Sequence, residues 1–224
     1  MSGKAGLHLH TSNRLELLAD AMALLFRHPL DDPFAAEAVV IPSLGLERWL
    51  TQQLALRQGI CANISFIFPQ SFVAGLMDAA LPGRAAARFY ARENLTWRIM
   101  KLLPPLAGRK EFGELRRYLE QPRPELHLFQ VAEKIAGSFD QYLAFRPRLI
   151  LDWERGDEKH WQAVLWRELA RSAPGLHPPA LAKEFETALE RGTVPLSERV
   201  SVFGVSTLPP FYIQFFQELA RKME

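Results

Sequence analysis

The chain has 224 residues, of which 48% are hydrophobic and 23% are charged, as is ordinary for a folded protein. Its formal net charge of +2 excludes a strongly basic protein that attracts nucleic acid over its whole surface, so nucleic-acid binding would need a local patch. A single cysteine excludes an internal disulfide, and no apolar run reaches the ~18 residues of a membrane span. These features predict a cytoplasmic protein.

Four short segments have the composition of β-strands. The second and third are almost continuously apolar, which is typical of strands covered on both faces. Helical spacing of apolar residues follows three of the four, and this alternation predicts a parallel, doubly wound α/β sheet flanked by helices. The predicted strands are LHLHT (7–11), AVVIP (38–42), ISFIF (64–68) and RVSVFGV (199–205).

Residues 71–191 contain no convincing strand. Their apolar pattern predicts helices that are broken at prolines such as Pro82, Pro104–Pro105 and Pro147. We therefore predict an α/β base domain over residues 1–75 and 196–224, with an all-helical inserted subdomain over 76–195. Because a doubly wound sheet usually has more strands, we expect the chain to be the N-terminal fragment of a longer protein.

The turn after the first predicted strand lies where P-loop ATPases bind a triphosphate. Such a loop needs glycines to gather backbone N–H groups, a lysine for phosphate charge and a Ser or Thr for magnesium. Here the turn reads Thr11-Ser12-Asn13-Arg14. Asn13 and Glu16 have the spacing of a capping box, which would place a carboxylate at the helix end that a phosphate would otherwise occupy. The sequence predicts that Ser12, Asn13 and Arg14 form a degenerate nucleotide site.

The fourth predicted strand leads to the same prediction. In helicases of this architecture, two acidic residues at the end of the corresponding strand handle magnesium and the attacking water. This chain has Phe203, Gly204 and Val205 there, and no carboxylate before Glu218. We predict no catalytic residue, no metal ligand and no cofactor, with Gly204 and Val205 completing the degenerate site. A working ATP-dependent helicase is the less favoured alternative.

Several longer stretches resemble one family. HTSNRLELLADAM, DDPF, SLGLERWLTQQL, GICANISFIFPQSF, SFDQYLAFRP and FGVSTLPPFYIQFFQEL occur in order from Leu7 to the C-terminus. They are similar to the N-terminal part of the gamma subunit of exodeoxyribonuclease V, the RecC family. The resemblance implies a superfamily 1 helicase-like fold without ATPase chemistry. It also implies a scaffold role beside the alpha and beta subunits of a helicase–nuclease that repairs double-strand breaks by homologous recombination.

The resemblance also implies that three segments line a channel in which single-stranded DNA is scanned for a recombination hotspot. Ser43 is suited to cap a helix whose N–H groups face a phosphate, and Arg48 lies off the apolar stripe of that helix. At Pro42, Leu44, Arg48 and Ala74 the chain departs from the family pattern, so no particular hotspot sequence is implied. The predicted DNA-binding residues are Ser43, Arg48, Phe68, Gln70, Ser71, Asp140, Gln141 and Arg146.

Plainer interpretations remain open for these residues. Arg48 and Arg146 would suit solvated surfaces equally well, Phe68 the end of a buried strand, and Ser71 a helix cap. The spacing of Trp49 favours core packing. The alternative function is a protein-interaction module of a repair complex without DNA contact, and an exposed tryptophan would mark its docking surface.

Overall fold

The computed structural model describes residues 6–84, 89–156 and 158–223, so residues 1–5 of the predicted base domain lie outside the described part. The strands are β1 (Glu37–Val40), β2 (Ile64–Ile67) and β3 (Val200–Val202). The first helices are α1 (Leu15–Leu25), α2 (Leu44–Gln58), α3 (Pro69–Ala80), α4 (Arg92–Leu106) and α5 (Gly113–Leu119), with a short 3-10 helix at Lys110–Phe112. They are followed by α6 (Pro124–Phe145), α7 (Pro147–Arg155), α8 (Trp161–Arg171), α9 (Pro178–Glu190) and α10 (Pro210–Ala220).

The three strands form one parallel sheet in the order β2-β1-β3. In the central strand, Val39 pairs with Phe66 on one side and Ser201 on the other. Val39 and Val40 are fully buried, as the apolar run at 38–42 predicted. The prediction of a mixed α/β fold with a parallel sheet is confirmed, although most of the chain is helical.

The predicted first strand is wrong, because residues 7–11 form no strand in the described structure. Leu7 is 67% exposed and Leu9 is 82% exposed. An alternating strand gains its stability by burying one face, and here the leucine face stays in water. The other predicted strands are present, but they end earlier than residues 42, 68 and 205.

The predicted capping box at the start of α1 is also wrong. The N-cap is Arg14, in an extended conformation and without a side-chain cap, and the Ser12 hydroxyl accepts the Arg14 N–H at 3.0 Å. Because the helix begins at Leu15, Glu16 is its second residue and cannot make the reciprocal bond that Asn13 would need. Glu16 still places a carboxylate in the first turn.

The chain divides into two compact units. The sheet unit comprises Met1–Leu76, Gly192–Leu208 and Tyr212–Glu224. Its core is formed by α1, α2 and the sheet, and the fully buried Leu50 and Leu54 of α2 lie at its centre. Arg57 joins the two helices, since its guanidinium pairs with Asp20 and donates to the Glu16 carbonyl at 3.3 Å.

The helical unit comprises Met77–Arg191 and Pro209–Phe211. Its core is rich in aromatic residues, with Trp166, Phe139 and Phe112 fully buried. Three of its described helices, α6, α7 and α9, begin at prolines, because the first residue of a helix needs no N–H partner. The predicted break at Pro104–Pro105 is wrong: both prolines lie in the last turn of α4, where they are exposed. Carbonyls left without a donor there can bond to water.

Candidate nucleic-acid interface

The carboxyl edge of the parallel sheet gathers several of the predicted DNA-binding residues. Strands β1, β2 and β3 end at Val40, Ile67 and Val202, and in a parallel sheet these ends meet at one edge. Ligands of open α/β sheets bind at this edge, where the following helices also begin. The candidate interface is therefore formed by the segments that leave the three strands.

The segment after β1 presents the N-terminus of α2. The Ser43 hydroxyl accepts the Leu46 N–H at 3.2 Å, so Ser43 caps the helix as the sequence predicted. Arg48 is exposed one turn further along. Trp49 packs against the core, with its ring 6.4 Å from that of Phe203, which agrees with the structural interpretation of that tryptophan.

The segment after β2 offers an aromatic ring and two polar side chains. Phe68 is 39% exposed, and its carbonyl accepts the Phe72 N–H at 2.9 Å. Gln70 and Ser71 are exposed in the first turn of α3. Because α3 begins at Pro69, Ser71 lies inside the helix and is not its cap.

In the segment after β3, the backbone of Gly204 lies close to the Leu46 side chain of α2. Gly204 has φ +66°, and a Cβ atom there would lie 2.3 Å from Leu46 Cδ2. Phe203 before it is buried, and Val205 after it is half-buried. A side chain at position 204 would therefore meet backbone strain, and the Leu46 side chain would have to move to make space for it. No sequence pattern indicated that Leu46 fills this space.

The turn that was predicted to be a degenerate nucleotide site is exposed. Ser12, Asn13 and Arg14 lie in solvent before α1. One hydroxyl of the turn is already engaged with the Arg14 N–H. The Glu16 carboxylate in the first turn disfavours a phosphate at this helix end.

The remaining predicted residues lie in the helical unit. Asp140 and Gln141 are in the last two turns of α6, with Gln141 exposed. Arg146 follows the helix, is exposed, and holds its guanidinium carbon 5.8 Å from the centre of the Tyr142 ring. Beside it Phe145 is 56% exposed. An arginine next to exposed aromatic surface is suited to stack on a base or to bind a phosphate.

The helical unit also contains a buried polar cluster that sequence reasoning missed. His177 is fully buried, and its Nδ1 accepts the Ala180 N–H at 3.2 Å, so it caps α9. Its Nε2 lies 2.9 Å from Glu154 Oε1, although the approach is bent away from an ideal hydrogen bond. Trp166 Nε1 donates to the same oxygen at 2.9 Å. The signal available was His177 directly before Pro178, because a proline at the first helical position favours a cap before it.

The cluster shifts the acidity of two groups. Burial raises the pKa of Glu154, but the contact with His177 and the Trp166 N–H together lower it by more. The pKa is therefore below its ordinary value. Burial raises the pKa of Tyr90 to about 12, against the opposing effect of Arg98. Tyr90 donates its hydroxyl to the Ala173 carbonyl at 3.0 Å. The cluster joins three helices and has the character of a structural connection.

The described residues contain no group of His, Cys, Asp and Glu side chains arranged to hold a metal ion. Among the helices of that part of the chain, none is both long enough and apolar enough to cross a bilayer.

Comparison with known proteins identifies the family. The family model for the RecC N-terminal domain matches residues 7–224. The chain belongs to the RecC family. The RecBCD enzyme subunit RecC of Escherichia coli K12 is 36% identical over 234 residues, covering 97% of this chain and 21% of that protein. The subunits RecC of Haemophilus influenzae and Mycolicibacterium smegmatis are 30% and 32% identical, covering 96% of this chain and 22% and 20% of their own lengths. The chain thus spans about a fifth of these RecC proteins.

Proposed function

We propose that this chain is the N-terminal part of a RecC subunit of a bacterial exodeoxyribonuclease V. It would act as a non-catalytic scaffold that guides single-stranded DNA and scans it for a recombination hotspot during double-strand break repair. Its partners would be the alpha and beta subunits and the DNA end, in the cytoplasm. Membership of the RecC family supports the subunit assignment.

We assign the two units by the same family argument. The sheet unit would be the partial helicase-like base domain that the sequence predicts over residues 1–75 and 196–224. The helical unit would be the subdomain inserted at 76–195. The parallel order β2-β1-β3 with a long helical block before β3 is the arrangement that such an insertion requires.

The observation that carries the non-catalytic assignment is the end of β3, where Phe203, Gly204 and Val205 follow the strand and Gly204 has φ +66°. ATP hydrolysis in a helicase needs a carboxylate for magnesium after this strand. None of these three residues carries a carboxylate, and the left-handed backbone at position 204 disfavours any side chain there. The turn at Ser12 to Arg14 lacks the glycines and lysine that would bind phosphates.

A nucleotide titration tests this assignment. We expect the full-length protein to show no saturable binding of a fluorescent ATP analogue with magnesium, up to millimolar concentration. The beta subunit, prepared in parallel, is the positive control for an active motor. Saturable binding that is abolished by an Arg14→Ala substitution would overturn the assignment.

The DNA assignment rests on the exposed groups of the carboxyl edge and of the end of α6. The capped N-terminus of α2 presents backbone N–H groups, whose partial positive charge is opposed by Glu47 in the same turn, and Phe68 is 39% exposed and can stack on a base. In the helical unit, Arg146 beside Phe145 offers the same combination of charge and apolar surface. Each unit therefore has its own candidate contact with a single strand.

Salt-dependent DNA binding by the assembled enzyme tests this. Arg48→Ala and Arg146→Ala should each reduce the slope of log affinity against log salt by about 0.7, the value for one lost single-strand phosphate contact. Arg27→Ala and Arg191→Ala remove exposed arginines elsewhere in the same two units and should leave the slope unchanged. Equal slopes for all four variants would refute the DNA contacts while leaving the subunit assignment intact.

One observation favours the alternative, a protein-interaction role. Trp97 on α4 is 62% exposed, and its ring lies 6.2 Å from that of Phe129 on α6, which is 39% exposed. Exposed tryptophans of this kind are enriched where partners dock. If this surface binds another subunit, Trp97→Ala should weaken subunit association and leave the salt slope for DNA unchanged.

A further inference from the structure

A cleft of about 330 Å³ opens at the amino ends of β1 and β2, on the edge of the sheet unit opposite the candidate DNA interface. Its apolar wall includes Phe26, Leu30 and Ile60. Leu30 is buried, whereas Ile60 is 69% exposed and therefore projects into solvent at the mouth. Phe34 in the adjoining loop is 90% exposed and extends this apolar surface. Such a surface on a folded unit commonly marks an interaction site.

The walls of the cleft are fixed by hydrogen bonds. Asp32 Oδ1 accepts the Phe34 N–H at 2.9 Å, which holds the loop in a turn. Arg199 pairs with the Glu37 carboxylate, donates to the His28 carbonyl at 2.9 Å and covers the Phe26 ring at 5.6 Å. The shape is therefore set before any partner arrives, which lowers the cost of binding.

The electrostatic character of the cleft is negative. Among the described residues that line it, the charged ones are Asp32 and Glu37. Arg199 neutralises Glu37, so Asp32 is left as the acidic group at the mouth. Helices α1 and α2 both end at the cleft, where the last carbonyls of α1 already accept hydrogen bonds. This surface repels phosphate and favours a cation with an apolar stem.

We propose that this cleft docks a segment of a partner subunit that presents a lysine or arginine beside an apolar side chain. The cation would lie at Asp32, and its methylene stem would cover the exposed Ile60, as such side chains commonly do. A volume of about 330 Å³ is at the lower limit for small-molecule sites, so it has room for one or two side chains. The inference rests on the proposed function only in that the chain acts as one subunit of a complex.

Site-specific photo-crosslinking in the purified, assembled enzyme tests the occupant. A benzophenone amino acid replaces Ile60 in the full-length protein, and the crosslinked peptide is identified by mass spectrometry. We expect a peptide of another subunit that contains a lysine or arginine next to an apolar residue. A crosslink to the protein's own chain, to DNA or to no macromolecule would overturn the proposal.

Two substitutions test the chemistry by the affinity of subunit association, measured without DNA. Asp32→Asn keeps the acceptor for the Phe34 N–H but removes the charge, and we expect association to weaken about threefold, the scale of a partly exposed ion pair. Ile60→Lys places a cation at the mouth and should weaken it by about tenfold or more, as for a contact at an interface centre.

The matched controls are Asp78→Asn and Leu24→Lys, which make the same charge changes at exposed positions outside the cleft. They should leave association unchanged. Equal affinities for cleft and control variants would overturn the proposal. Because the readout contains no DNA, failure here is distinguishable from failure of the DNA contacts, which the salt slopes of Arg48→Ala and Arg146→Ala measure.

Discussion

The two units of the chain differ in what their interiors contain. The helical unit buries a titratable cluster, with His177 fully inaccessible and Glu154 ionised beside it. The core of the sheet unit is apolar, and its ion pairs, Arg57 with Asp20 and Arg199 with Glu37, lie outside that core. The stability of the helical unit should therefore depend on charge and pH, whereas that of the sheet unit should depend on shape.

The largest effect is expected from shape, at the contact between β3 and α2. Gly204→Asp should lower the free energy of unfolding by about 3 kcal/mol or more, combining left-handed backbone strain of roughly 1–2 kcal/mol with overpacking of roughly 1–3 kcal/mol. Chemical denaturation measures the loss. Gly204→Ala should lower the free energy of unfolding for the same two reasons, but by a smaller amount.

The clash is separable from the strain by a double-mutant cycle. Adding Leu46→Ala to Gly204→Ala should recover about 1 kcal/mol relative to additivity, since the substitution removes the atom 2.3 Å from the new Cβ. Strict additivity would show that a clash between Leu46 and the new Cβ does not contribute to the stability loss of Gly204→Ala.

The second effect is expected from the buried cluster of the helical unit. His177→Ala removes the cap of α9 and the contact to Glu154, and should cost about 2–3 kcal/mol. His160→Ala is the matched control, because His160 precedes α8 in the same position but is exposed and makes no side-chain cap. Its cost should stay within about 0.5 kcal/mol. Similar losses for both would mean that His177 contributes little beyond an ordinary surface position.

The third effect is a pH dependence in the helical unit. The folded-state pKa of Glu154 is below the ordinary 4.5, so the unfolded chain binds this proton more readily. The contribution of Glu154 to stability is then present above pH 4.5 and is lost as the pH falls through the folded pKa. Glu154→Gln should remove this loss at acid pH, whereas Glu186→Gln, at an exposed position, should retain it. Parallel pH profiles for the parent and Glu154→Gln would contradict the assignment.

The sequence predicted those features that depend on neighbouring residues. The apolar runs at 38–42 and 64–68 became β1 and β2 because a strand covered on both faces must be apolar throughout. Ser43 caps α2 for a similarly local reason. The alternating segment at 7–11 failed because alternation shows that a face could be buried, and does not show that anything covers it.

Features that depend on distant residues were beyond sequence reasoning. The contact between Leu46 and Gly204 joins positions in different thirds of the chain, and only their packing reveals it. The pairing of His177 with Glu154 has no signal in the sequence, since Glu154 lies on another helix. The cleft at Asp32 has no local sequence signal, because its apolar wall at Ile60 comes from a separate loop.

The smallest effect on stability, at the carboxyl edge of the sheet unit, separates folding from function most cleanly. Aspartate caps helices about as well as serine, so Ser43→Asp should change the free energy of unfolding by less than about 0.5 kcal/mol. It also adds a negative charge where a phosphate would approach the N-terminus of α2. Single-strand affinity of the assembled enzyme should fall about fivefold, equivalent to roughly 1 kcal/mol of repulsion, and the loss should shrink as salt screens the charge. Ser43→Asn, which caps without charge, should retain both stability and affinity. If Ser43→Asp binds DNA like the parent, the N-terminus of α2 lies away from the strand. Charge at the carboxyl edge of the sheet unit would then have no role in DNA binding.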